Sequence, residues 1–132
     1  MRIDIITVLP ELLKSPFEAS ILKRAIDAKL VEVHFHNLRD YTTDNYKSVD
    51  DYQFGGGAGM VMKPEPLFGA IESVKREETQ VIYMAPDGEK LTQPLAKELS
   101  QAKHLVFLSG HYEGIDQRVR DCLVDREVSI DR

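Results

Sequence analysis

Short apolar runs alternate with amphipathic helical segments along this chain, and that order leaves few folds open to it. Residues 2–9 (RIDIITVL) are rich in Ile and Val and read as a strand buried on both faces. Residues 31–36 (VEVHFH) predict a second strand, with Val31, Val33 and Phe35 on one face and Glu32, His34 and His36 on the other. Residues 81–85 (VIYMA), 104–110 (HLVFLSG) and 127–130 complete the set. Between them lie helices. One starts at Ser15, where Pro16 suits the first helical position and Glu18 completes a capping box, and it buries Phe17, Ile21, Ala25 and Ile26. Others cover 66–77, with Leu67, Ile71 and Val74 inward, 93–101 behind the N-cap Thr92, and 115–123. Strands alternating with helices predict an α/β fold: a mostly parallel sheet with helices on both faces.

At 132 residues the chain suits one domain, residues 1–132, able to bury roughly two-thirds of its unfolded surface. No apolar run approaches the ~20 residues of a membrane span, and Asp4, Pro10 and Glu11 interrupt any signal-like segment, so no membrane partner is expected. Cys122 is the one cysteine, which excludes an internal disulfide and suits the cytoplasm; it reads as a buried helix residue. His34 and His36 have same-face spacing but no third ligand nearby, so no metal is assigned to them. The net charge of −5 runs against nucleic-acid binding, which needs a local basic patch or residues beyond this segment.

In an open parallel sheet, ligands bind beyond the carboxyl ends of the strands. That rule selects Ala85, Pro86, Asp87 and Gly88, read as a turn, and the segment from Ser109 to Gly114. Gly110 and Gly114 allow backbone to approach a ligand, Tyr112 offers a flat face, and Glu113 or Asp116 attracts a cation. Glu113 reads equally as a charge favouring the start of the following helix. From Asp40 to Lys63 regular periodicity stops, and the stretch carries Gly55, Gly56, Gly57, Ala58 and Gly59. The Walker pattern fails because Lys63 follows Met62. The dinucleotide fingerprint fails because Met60 and Met62 stand where glycine is required. A nucleophile elbow is also absent. The glycines remain open to two readings, a phosphate nest or a hinge.

The segments ITVLPELL, NLRDYT, VDDYQFGGGAGMVMKPEPL, VIYMAPDG, LSGHYEGIDQRV and EVSI span essentially the whole chain. In this order and spacing the chain resembles the bacterial tRNA (guanine-37-N1)-methyltransferases of the knotted SPOUT class. The pairing of GGGAGM with GHYEGID is the specific part. The resemblance implies a homodimeric enzyme that moves a methyl group from S-adenosylmethionine to N1 of a tRNA guanine, with Mg2+ as a further candidate ion. It implies a cofactor pocket with Tyr83, Met84, Ala85 and Pro86 as one wall, Gly110, Tyr112, Glu113 and Gly114 as the second, and Ile130 opening the third. Asp50, Gly55, Gly56, Gly57 and Gly59 take the substrate-facing role, and Glu113 is the candidate catalytic carboxylate.

Two departures accompany the resemblance. His111 stands where the family usually has Arg, which weakens an ionic contact there near neutral pH. Tyr52 and Gln53 stand where it has Arg-Pro. The family's chain also continues past Ile130 into a segment carrying its presumed base and a supporting arginine, and then into a carboxyl-terminal tRNA-binding domain. The expectation is therefore a domain truncated at its carboxyl end, its trefoil knot incomplete and residues 1–132 alone inactive. The competing readings are a non-catalytic RNA-binding or dimerisation fragment and a nucleotide-phosphate-binding enzyme.

Overall fold

The computed structural model describes residues 1–8, 24, 26–42, 50–52, 60–109, 114–115 and 117–129; for 50–52, 60–62 and 114 it describes the backbone. Strand β1 (Arg2–Thr7) is followed by β2 (Glu32–Asn37), a 3-10 turn (Leu38–Tyr41), β3 (Asp50–Tyr52) and β4 (Met60–Met62). Helix α1 (Pro64–Val74) leads to the long strand β5 (Thr79–Lys90), then α2 (Gln93–Ser100) and β6 (His104–Ser109). The chain continues through β7 (Gly114–Ile115), α3 (Gln117–Leu123) and β8 (Arg126–Ser129). Five strands form one sheet in the order β2-β1-β6-β5-β8, and every pairing in it is parallel.

Strand periodicity divides the core in two. Ile6, Val81, Tyr83, Val106 and Leu108 face one side, where Leu67, Ala70, Ile71 and Val74 of α1 and Val119 of α3 cover them. Ile82, Leu105 and Val128 face the other side against Leu95 and Leu99 of α2. Leu67, Ile71 and Ile82 are wholly buried, each contributing about 1.5–3 kcal/mol by leaving water. The expected α/β architecture with helices on both faces is the one observed.

The boundaries shift for physical reasons. Helix α1 starts at Pro64 rather than 66, because proline is at home in a first helical turn, and it ends at Val74, the last buried residue of its stripe. Lys75 through Glu78 are exposed, and the Arg76 N–H turns instead to Thr79 Oγ1 at 2.7 Å. The Thr92 cap forms as expected, its hydroxyl accepting from the Leu95 N–H at 3.3 Å. Ile26 lies in a helix end closed by Lys29 at φ 60°, while the Ser15 capping box and residues 16–23 lie outside the described residues.

Three expectations need correction. The stretch from 40 to 63 is not without strands: β3 and β4 pair antiparallel, with Tyr52 opposite Met60. The helix predicted over 115–123 begins only at Gln117, because Gly114 and Ile115 form β7 beside β4. Glu113 itself lies outside the described residues. Cys122 is exposed rather than buried. The short helix α3 turns Val119 to the core with Leu123 packed behind it, and Cys122 falls beside that stripe.

Candidate functional site

The chain leaves β1 toward β2 and leaves β6 toward β8, so the connections diverge between two neighbouring strands. The carboxyl ends of those strands, Thr7 and Ser109, are register partners. Such a divergence opens a crevice at the carboxyl edge of a parallel sheet. Strand β5 emerges on the same edge, with Tyr83 opposite Leu108 of β6. Strands β5 and β6 therefore run side by side toward the same edge.

The turn expected at Pro86, Asp87 and Gly88 is an excursion inside β5. Met84 pairs with Val128 of β8, and after the excursion Glu89 pairs with the same Val128. The intervening residues 85–88 leave the β8 ladder, so their backbone polar groups can meet another partner at this edge. The excursion returns because Gly88 lies directly on β8. A Cβ there would stand 2.7 Å from the Glu127 carbonyl carbon and 2.8 Å from the Val128 nitrogen. Sequence reading gave Gly88 only a turn role, since contact with a strand forty residues away leaves no local signal.

The four residues carried over to the first wall differ in what they present. Tyr83 (6% exposed) and Ala85 (4%) pack into the core, whereas Met84 is half-buried and Pro86 exposed. Met84 and Pro86 thus offer apolar side-chain surface, and Tyr83 and Ala85 serve by holding backbone in place. Burial raises the Tyr83 hydroxyl above its ordinary pKa, opposed by Arg120 and reinforced by the charges of Glu127 and Asp87. The Arg120 guanidinium lies 5.6 Å from the centre of the Tyr83 ring, and it donates through Nε to Glu127 Oε2 at 3.2 Å and through its second amino group to Glu127 Oε1.

A small second sheet joins the two glycine-bearing segments. Strands β3 and β4 flank residues 53–59, and β4 runs parallel to β7 with Val61 opposite Gly114 and Met62 opposite Ile115. The end of one segment is thereby hydrogen-bonded to the end of the other. Gly55, Gly56, Gly57, Gly59, Gly110, Tyr112, Glu113 and Ile130 lie outside the described residues; of Asp50 and Gly114 only the strand position is described.

A different polar cluster lies at the amino edge of the main sheet, and the sequence reading passed over it. Asp4 is fully buried. Its carboxylate accepts from Arg2 Nε (3.0 Å), from His36 Nε2 (2.7 Å) and from His104 Nε2 (2.6 Å). His104 Nδ1 in turn faces Thr79 Oγ1 at 2.6 Å. Burial pushes the Asp4 carboxyl up, but the hydrogen bonds from Arg2, His36 and His104 outweigh it and hold the group at about 2. Among the described residues no group of three or more His, Cys, Asp or Glu side chains is placed to hold a metal ion.

A parallel α/β sheet whose connections diverge between β1 and β6, with an excursion from β5 on the same edge, is the arrangement in which α/β domains commonly hold their ligands. Residues 1–131 match the family described as tRNA (Guanine-1)-methyltransferase TrmD, and the chain belongs to that family. It is 64% identical over 132 residues to the tRNA (guanine-N(1)-)-methyltransferase of Flavobacterium johnsoniae, covering 98% of this chain and 58% of that protein. The proteins of the same name from Christiangramia forsetii and Dictyoglomus turgidum are 63% and 52% identical, with 98% of this chain covered in both and 58% and 53% of those proteins. The chain thus spans somewhat over half the length of these curated relatives.

Proposed function

We propose that the protein carrying this chain transfers a methyl group from S-adenosylmethionine to N1 of guanine 37 in tRNA, and that residues 1–132 contribute much of the donor pocket. One observation carries the reading: β5 and β6 are adjacent and parallel, so the strand ends that lead into residues 85–88 and 110–114 lie side by side on one edge of the sheet. The backbone of 85–88, out of its ladder, suits the hydrogen-bonding edge of an adenine, and Met84 and Pro86 suit its flat apolar surface.

When bound, the donor supplies a methyl group on a sulfonium, which already leaves readily. The chain's own contribution is mainly positioning, an effect that can supply on the order of 7–11 kcal/mol, while the N1 proton goes to the base that the family resemblance places beyond Ile130. Tyr83, Met84, Ala85 and Pro86 hold one side of the pocket, Gly110, Tyr112, Glu113 and Gly114 the second, and Ile130 begins the third. Glu113 attracts one positive charge, either the donor's ammonium or a magnesium ion. Asp50, Gly55, Gly56, Gly57 and Gly59 face the target nucleotide, which must leave its stack to be reached. The β4–β7 ladder couples that segment to the donor loop. The protein works as a homodimer in the cytoplasm, where its tRNA partner resides. Because the relatives are longer, turnover is expected of a chain of their length and not of residues 1–132 alone.

Incubation of a chain of the relatives' length with tRNA and methyl-labelled S-adenosylmethionine tests the proposal. Label is expected at N1 of guanine 37 and lost when that guanosine is replaced by adenosine. Label that persists after the replacement overturns the position, and clear turnover by residues 1–132 overturns the claim that they are inactive alone.

A further inference from the structure

Arg120 is absorbed neither by the family motif nor by the pocket walls proposed above, yet it touches two of the segments around the candidate crevice. It projects from α3, the helix that follows the second wall. Its guanidinium lies over the Tyr83 ring, where β5 approaches its excursion, and two of its nitrogens engage both oxygens of Glu127 on β8. Tyr83 and Glu127 are register partners in the sheet, so Arg120 spans one rung of the β5–β8 ladder. The backbone of Glu127 is also the surface on which Gly88 rests, which places it at the return of the 85–88 excursion. Asp87, within that excursion, acts electrostatically on both Tyr83 and Arg120.

We infer that Arg120 is a positioning residue: it ties α3, β5 and β8 together and thereby sets the shape of the wall formed by residues 83–88. A direct role on an RNA phosphate is disfavoured by the geometry, because the fork that would grip a phosphate is committed to Glu127. Glu127 also orients the guanidinium, which holds the cation in place over the aromatic face. Lysine carries the charge but not the planar fork, so it preserves the ring contact and loses the two-pronged one. The inference rests on the donor-pocket reading for its effect on the methyl donor, but not for its effect on the wall itself.

The experiment therefore reads both, in a chain of the relatives' length. Amide hydrogen exchange across residues 83–90 is compared in the parent, Arg120→Ala and Arg120→Lys, alongside calorimetric S-adenosylmethionine affinity and the KM values for donor and tRNA. Arg120→Ala is expected to speed exchange in that segment and to weaken donor affinity about tenfold, the loss of one charge-assisted contact. The tRNA KM is expected to stay within about twofold, with Arg120→Lys intermediate on both donor readouts. If the parent binds no donor while exchange still quickens in Arg120→Ala, the donor reading fails and the positioning role stands. Unchanged exchange in a folded Arg120→Ala variant overturns the inference, as does a tRNA KM that rises while donor affinity holds, which would make Arg120 an RNA contact.

Discussion

The two edges of the main sheet handle polar groups in opposite ways. At the amino edge a fully buried carboxylate, Asp4, is answered by Arg2, His36 and His104, and Thr79 continues the network. At the carboxyl edge β5 leaves its ladder for residues 85–88, and connections diverge between β1 and β6. A carboxylate whose partners all come from within the chain has little left for a ligand. An edge whose backbone leaves its ladder has hydrogen-bonding capacity to spend on one. The difference separates a structural buried charge from a candidate binding site, although the buried charge is the more conspicuous of the two.

Removing the buried acid tests the structural side most severely. Asp4→Ala leaves Arg2 and two histidines facing an empty site and is expected to cost about 3–5 kcal/mol in denaturant unfolding. Donor affinity in whatever variant remains folded is expected to hold; a loss of affinity larger than the loss of fold would join the two edges functionally. Gly88→Ala tests the other side. Its methyl group must displace the β8 backbone, at a cost of up to about 3 kcal/mol, and donor affinity is expected to fall with it. A stable Gly88→Ala variant with full affinity would show that the excursion is not shaped by its contact with β8.

Acid distinguishes the edges more gently. The folded pKa of Asp4, about 2, lies below the ordinary aspartate value, so its contribution is fully present above about pH 4 and disappears as pH falls through 2. The contribution is about 2 kcal/mol, and Asp4→Asn is expected to remove that part of the acid dependence from thermal unfolding curves. An unchanged acid slope in Asp4→Asn would assign the dependence to other carboxylates. The smallest effect belongs to Thr92, which caps α2 just after β5: Thr92→Ala is expected to cost about 1 kcal/mol and leave donor affinity unchanged. An affinity loss there would extend the site into the α2 cap.

Reading along the chain found the elements whose cause is local. Strands β5 and β6 show in the apolar runs at 81–85 and 104–109, α1 in the spacing of Leu67, Ile71 and Val74, and the start of α2 in Thr92. Strand-helix alternation predicts a mostly parallel sheet, and in the parallel sheet observed the carboxyl ends of β5 and β6 lie on one edge. Strands β3 and β4 escaped notice because three residues are too few to show a period, and β7 because two residues carry no pattern. Cys122 is exposed because its position on the short helix, and not its residue type, decides which way it faces.

Local chemistry in the sequence determined which segments become strands or helices, the parallel α/β class and, through its motifs, the family resemblance. Tertiary structure alone decided the strand order, the return of the β5 excursion onto β8 at Gly88, and the partners of Asp4. The physical reason is range. Propensity, capping and periodicity act over a few neighbouring residues, whereas a buried charge or a close backbone approach is settled by groups that only folding brings together.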